Sequence, residues 1–274
     1  MGIGLKREHY EEVAILSEKV DFLEVHAENF MVSGGKLLDF LLKVRSVIDI
    51  SLHCVAISLG SAFGIDVEYL HNLKNLINVL NPFLVSDHLS WSKTNQHYLP
   101  DLIPVPYNKE SLDLFCRNVD YVQNFLNIDI LIENPSSYLQ YKSSNYSESF
   151  FLNKIANKTG AGILLDINNL FVSCFNHGWD INCYLQELDF KYIKQIHLAG
   201  HSNVKLPSGN ILKIDTHNAA ISGEVWNIYD KFLALSNELC PPTLIEWDAN
   251  VPSVEILLKE AQKVHEHVAL QICK

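Results

Sequence analysis

Cysteine pairs, long apolar runs, basic clusters and phosphate-binding glycine loops are all missing from this chain, and each absence excludes something. Its six cysteines, Cys54, Cys116, Cys174, Cys183, Cys240 and Cys273, are scattered with no C-x-x-C pair. They indicate neither a cysteine-ligated zinc site nor a disulfide framework, and read as buried or incidental thiols. No apolar run approaches the roughly 18–20 residues of a membrane span, and the start, MGIGLKREHYEEV, lacks the apolar centre of a signal peptide. The expectation is a cytoplasmic protein with no membrane contact. With 21 Lys and Arg against 32 Asp and Glu, the formal charge is −11 and no basic cluster stands out, which opposes a nucleic-acid partner. Neither G-x-G-x-x-G nor G-x-x-x-x-G-K-[ST] occurs, so the usual signature of an open nucleotide-binding sheet is absent.

Twelve histidines against two methionines form the clearest positive bias. Eight short β-rich runs recur along the chain: 22–30, 50–54, 83–89, 129–134, 162–168, 193–200, 211–217 and 243–248. Between most of them lie stretches with helical periodicity, such as GGKLLDFLLKVRSV, VEYLHNLKNLINVL, NKESLDLFCRNVDYVQNFL, SESFFLNKIANKT and SVEILLKEAQKVHEHV. Strand and helix alternate without repeats or low-complexity linkers. That alternation predicts one α/β domain over 1–274, a closed (β/α)8 TIM barrel. Residues 198–210 read as a loop without a helix, and 92–107 as a long proline-bearing excursion.

The stretch ILLDINNLFVSCFNHG, residues 163–178, turns abruptly from apolar to polar after Leu165. The same change recurs at the ends of the other runs, with His26 and Glu28, His53, His88, Glu133, Asp166, His197 and His201, Asp215 and His217, and Glu246 and Asp248. In a (β/α)8 barrel all strand C-termini open on one face, the face that carries active sites. Each residue has an ordinary alternative: Asp166 as a helix cap, His53 or His88 as a hydrogen-bonded core histidine, Glu246 as the partner of a lysine. Taken together, several buried carboxylates with few strand-end Lys or Arg call for multivalent cations. Donors that are all oxygen and imidazole nitrogen suit zinc, iron or manganese, and their number suggests more than one ion, with Glu133 placed to join two.

The motifs HAENFM (26–31), SLH (51–53), SDHLSWS (86–92), LIENPSSYL (131–139), LLDINNLFVS (164–173), NHGWD (176–180), IHLAGH (196–201), IDTH (214–217) and LIEWD (244–248) resemble those of the multinuclear non-haem iron-dependent oxidases. The resemblance runs in order through nearly the whole chain. It implies a xylose-isomerase-like barrel holding two or three irons of mixed Fe(II)/Fe(III) state, with dioxygen as co-substrate. The expected substrate is a ribosomally made precursor peptide, commonly modified at cysteine, and a small partner protein captures its leader, so a heterodimer is expected. Carried onto this sequence, the resemblance places one ion on His53, His88 and Glu133. It places a second on Glu133, Asp166, His197 and Glu246, and a third on Asn169, Asp215 and His217. Glu133, His201 and Asp248 are the candidate catalytic groups.

One departure stands out within the wider superfamily. The related trinuclear zinc endonucleases carry Asp-x-x-His where this chain has Asp166-Ile167-Asn168-Asn169. A neutral amide is a weaker ligand, so the third site should hold its ion least tightly. Asp87, Asn134, His177, Asp180 and His201 are candidates for orienting the metal-binding imidazoles. Tyr107, Ser136, Ser137 and Tyr138 are candidates for contact with a peptide or for loop packing. The alternatives are a divalent-metal isomerase or phosphodiesterase on the same barrel, and a non-catalytic metal-binding subunit. After the last strand only LLKEAQKVHEHVALQICK follows, enough for a closing helix but too short for a peptide-binding domain. This is a further reason to expect a partner.

Overall fold

Apolar runs flanked by turn residues become short buried strands in the computed structural model, which describes residues 1–94, 97–236 and 239–272. Twelve strands are assigned among them: β1 (Gly2–Gly4), β2 (Phe22–His26), β3 (Asp49–His53), β4 (Leu84–His88), β5 (Ser90–Lys93), β6 (Tyr98–Pro104), β7 (Leu131–Glu133), β8 (Gly162–Asp166), β9 (Ile193–Ala199), β10 (His201–Lys205), β11 (Ile211–Asp215) and β12 (Thr243–Glu246). Eight of them close into a barrel in the order β1-β12-β9-β8-β7-β4-β3-β2. Its recorded pairings are parallel, as for Ser86 with Leu131 and Leu244 with His197. Every residue of β7 and β8 is buried, as expected of parallel strands covered on both faces.

The chain packs as two compact units, Met1–Leu23 with Ser136–Tyr138 and Leu165–Lys274, and Glu24–Pro135 with Leu139–Leu164. In the second, the helices Val67–Leu80, Lys109–Leu126 and Glu148–Thr159 bury Leu70, Leu73, Phe115, Val119, Phe151 and Ile155. Each starts at a polar cap, Asp66, Asn108 or Ser147, whose side chain accepts a backbone N–H of the first turn. In the first, Tyr229 and Phe232 of Gly223–Leu235 are fully buried, and Leu257, Ala261 and Val264 line one face of Val254–Ile272. No described helix is long and apolar enough to cross a membrane.

Seven of the eight sequence-predicted runs contribute to the barrel. The eighth, 211–217, does not: β11 pairs antiparallel with β10 as a hairpin, and the barrel closes instead through β1. At three residues β1 is too short to show periodicity, whereas ILKID was conspicuous but carries a lysine at its centre. The expected plain loop at 198–210 is therefore the end of β9, strand β10 and a tight turn in which Leu206 N–H donates to Asn210 O at 2.8 Å. The excursion at 92–107 holds most of a second hairpin, β5 with β6, while Asn95 and Gln96 lie outside the described residues. Helices Val13–Lys19, Ile167–His177, Ile181–Glu187 and Gly223–Leu235 complete the alternation without having been singled out in the sequence. Cys54, Cys116 and Cys174 are buried and Cys183 and Cys240 exposed, with Cys273 outside the described residues.

Candidate metal centre

Strands β3, β4 and β7 end on His53, His88 and Glu133, all buried. Both histidines turn Nε2 toward one carboxylate oxygen, Glu133 Oε2, at 3.4 and 3.3 Å, and their rings meet edge to face 4.7 Å apart. Ligand bonds of about 2.1 Å at near-tetrahedral angles hold donor atoms roughly 3.4 Å apart, so the spacing fits three ligands of one ion. His53 Nδ1 lies 2.7 Å from Ser86 Oγ, which in turn faces Leu52 O at 3.5 Å. The hydroxyl donates to the carbonyl and accepts from Nδ1–H, leaving Nε2 with its lone pair toward the cluster. His26 stands beside this group, its ring centroid 5.8 Å from that of His53.

A second cluster is built from β8, β12 and the turn after β11, where Asp166, His217 and Glu246 bring ligand atoms within 4.8 Å of one another. His217 is bracketed by carboxylates: Nε2 lies 2.6 Å from Asp215 Oδ1, and Nδ1 lies 3.3 Å from Glu246 Oε2 and 3.4 Å from Asp248 Oδ2. Burial pulls its pKa down, but Asp215 and Glu246 outweigh burial and raise it well above the usual imidazole range. Burial pushes Glu246 up, and His217 and His197 more than reverse this, holding it well below the usual carboxylate range. Burial and Glu246 raise Asp248, while His217 and an ion pair with Lys6 bring it down. In the absence of metal, His217 thus sits among Asp215, Glu246 and Asp248, with Lys6 paired to the last of them. A divalent ion with oxygen and nitrogen donors fits that place.

Backbone geometry holds His217 there. Its φ of 43° is in the left-handed region, uncommon for a residue with a side chain. Hydrogen bonds fix it: His217 N–H donates to Gly200 O, and the N–H groups of Asp248 and Ala249 donate to His217 O. Gly200 permits the approach, since a Cβ there would lie 2.1 Å from Ala219 O. Asp166 caps the helix Ile167–His177, its Oδ1 accepting Asn169 N–H at 2.6 Å, while also belonging to the cluster. The cap role expected of Asp166 is present, and it leaves the residue within reach of His217 and Glu246.

The remaining candidates divide. His197 is fully buried, with Nδ1 3.1 Å from Glu246 Oε2 and Nε2 3.3 Å from Gln195 Nε2. Asn169 is buried and its Oδ1 accepts from Ser136 Oγ at 2.7 Å. Asp215 also accepts from Asn168 Nδ2 at 2.8 Å, and its N–H donates to Tyr138 OH at 2.9 Å. His201 lies between Asn168 Oδ1 at 2.9 Å and Lys213 Nζ at 3.1 Å. Burial first and Lys213 second lower its pKa, which favours the neutral ring. His177 contacts Ser137 Oγ at 3.1 Å. Asp87 accepts the N–H of Ile57 and of His88. Asp180 caps the helix Ile181–Glu187, and Tyr107 is buried with its hydroxyl on Glu148, so loop packing accounts for both. Sequence reading missed Ser86, Gln195 and Lys213, and noted Asn168 without a role. Ser86, Gln195 and Lys213 each stand two residues before a strand-end candidate, on the same strand face by the period of two.

Comparison with known proteins gives the barrel type and the family. The chain is 43% identical over 263 residues to UPF0276 protein VV3194 of Vibrio vulnificus (strain YJ016), covering 96% of this chain and 89% of that protein. Among solved structures it resembles D-psicose 3-epimerase from Clostridium cellulolyticum H10, with a TM-score of 0.62 and 12% identity over 98% and 99% of the two chains. It also resembles a xylose isomerase-like TIM barrel protein from Mycobacterium smegmatis crystallised with magnesium, with a TM-score of 0.57 and 13% identity over 96% and 87%. At such identities these two likenesses show the barrel type alone. Residues 1–269 match the model of the RiPP precursor modification enzymes MbnB/TglH/ChrH, and the chain belongs to that family.

Proposed function

We propose that this chain is a multinuclear non-haem iron oxidase that uses dioxygen to modify a residue, most simply a cysteine, of a ribosomally synthesised precursor peptide. A small partner protein presents the leader. The observation that carries the reading is the pair of buried histidine–carboxylate clusters, with oxygen and nitrogen donors only, in a member of a precursor-modifying family. Oxygen-rich, imidazole-containing sets suit iron, and a substrate thiolate would complete such a site with the soft donor the protein omits.

In this reading His53, His88 and Glu133 would hold one ion, and Asp166, His197 and Glu246 a second. Asn169, Asp215 and His217 would hold the third and weakest. Bound iron with dioxygen supplies the oxidising chemistry. The protein's part is to fix the donors, exclude water and manage protons. Ser86 orients His53, His201 bridges Lys213 and Asn168, and Asp248 is kept ionised beside His217. The precursor peptide is the substrate, and neither nucleic acid nor membrane enters.

The test is anaerobic loading with ferrous iron and metal counting, then incubation with a full-length candidate precursor peptide, with and without oxygen and a candidate leader-binding partner. Two or three irons per chain, a peptide mass change and oxygen uptake that require iron, and faster turnover with the partner are expected. Turnover of a sugar or phosphodiester with magnesium or zinc and no oxygen would overturn the reading. So would metal occupancy without oxygen uptake in the presence of peptide.

A further inference from the structure

A buried lysine beside the second cluster has no carboxylate ion pair among the described residues. Lys213 is 7% exposed, its ammonium bonded to His201 Nε2 and to Asn203 Oδ1, each at 3.1 Å, and it lies 4.8 Å from the ring centroids of Phe171 and Phe175. Its backbone is pinned as well: Lys213 N–H donates to Asn176 Oδ1 and its carbonyl accepts from Asn176 Nδ2. Burying a cation with no carboxylate in contact is costly, and two aromatic faces and the more distant Glu224 recover only part of that cost.

The bonds running from it form a chain whose two ends have unambiguous polarity. An ammonium only donates, and an ionised carboxylate only accepts. His201 Nε2 must therefore accept from Lys213, which places the ring proton on Nδ1. Nδ1–H donates to Asn168 Oδ1 at 2.9 Å, so the Asn168 amide turns its Nδ2 to Asp215 Oδ1 at 2.8 Å. That same Oδ1 lies 2.6 Å from His217 Nε2. Each link leaves the next a single orientation.

We propose that Lys213 is a positioning residue: its ammonium sets the direction of the Lys213–His201–Asn168–Asp215 relay and so holds the Asp215 carboxylate against His217. The proposal rests on His217 being a metal-site residue, and not on oxidation or on any peptide. Its electrostatic alternative has the opposite sign. Removing a cation near a metal site should tighten the binding of a divalent ion, whereas losing the relay should loosen it.

The first measurement is histidine-selective ¹⁵N NMR on metal-free wild-type protein, with the His201 signals assigned by comparison with His201→Gln. The Nδ1–H tautomer is expected; the Nε2–H tautomer would overturn the proposal whether or not any variant folds. The second is cobalt(II) titration in a His88→Ala background, which disables the other cluster. Lys213→Met should weaken binding about tenfold or more, in the range that loss of a ligand-orienting contact produces. Lys213→Arg, which can still donate to Nε2, should restore most of it. Equal or tighter binding in Lys213→Met would overturn the relay. Failure of the metal reading looks different: no cobalt would bind the background protein, while the tautomer would still decide the relay.

Discussion

Ser86 is the smallest polar side chain next to the first cluster and one of the most consequential. Its hydroxyl is the partner of His53 Nδ1, and it stands opposite His53 in the β3–β4 register. Ser86→Ala should leave the fold intact, strand a buried ring N–H at a cost of about 1–3 kcal/mol, and lower metal affinity by roughly 10–100-fold. Isothermal titration of the stripped protein checks this. Glu133→Gln should do more, because it removes the charge as well as a donor oxygen: iron content should fall and peptide turnover vanish, and full iron loading with normal turnover would refute its role as a ligand. The ligand candidates were legible because an ionisable residue ending an apolar run is conspicuous. The groups hydrogen-bonded to the histidines were not: serine, glutamine and a lysine inside strand-like runs look incidental until the strand period places each two residues before a conspicuous one.

At the level of elements, Asp66 joins a helix to a hairpin. It accepts the N–H groups of Glu68 and Tyr69 at the start of Val67–Leu80, pairs with Lys93 of β5 and accepts from Tyr98 of β6 at 2.9 Å. Lys93 first, then the backbone bond from Tyr69, outweigh burial and hold its pKa at about 2. A lowered carboxylate pKa contributes stability that is full above the unfolded value of about 4 and is lost as pH falls toward about 2. Asp66→Ala should cost about 1–2 kcal/mol at neutral pH, and the difference from wild type should shrink across that acid window; urea melts at pH 7 and pH 2.5 would show both. Helices such as Val67–Leu80 were readable to the residue, since cap and periodicity coincide. The barrel's strands were readable where they were continuously apolar. β1 was not, because three residues with two glycines carry no pattern, and ILKID was misplaced because its partner strand, HSNVK, is polar and half-exposed.

For the whole molecule, the charge that opposes a nucleic-acid partner also bears on stability. A chain of formal charge −11 with buried carboxylates at its strand ends gains by binding cations. A metal present at a hundred times its Kd adds about 2.7 kcal/mol, which for a chain of this size is roughly 5–10 °C in melting temperature. Chelation should lower the Tm by about that much in differential scanning fluorimetry, in two steps if the weakest ion leaves first. An unchanged Tm would mean that the clusters hold no metal in the folded protein. Most of this was foreseeable from fold type and composition, but how the barrel closes was not, and that closure has a consequence in time. Gly2 pairs with Leu244, so the first strand finds one neighbour almost a chain length away. While the chain is being made, His53, His88 and Glu133 emerge in its first half, yet Gly2–Gly4 must wait for β12, the strand that also brings Glu246. The last barrel strand to be synthesised is thus both the one that seals the sheet and the one that brings Glu246, so the second cluster cannot be complete before the strand that closes the barrel has been made.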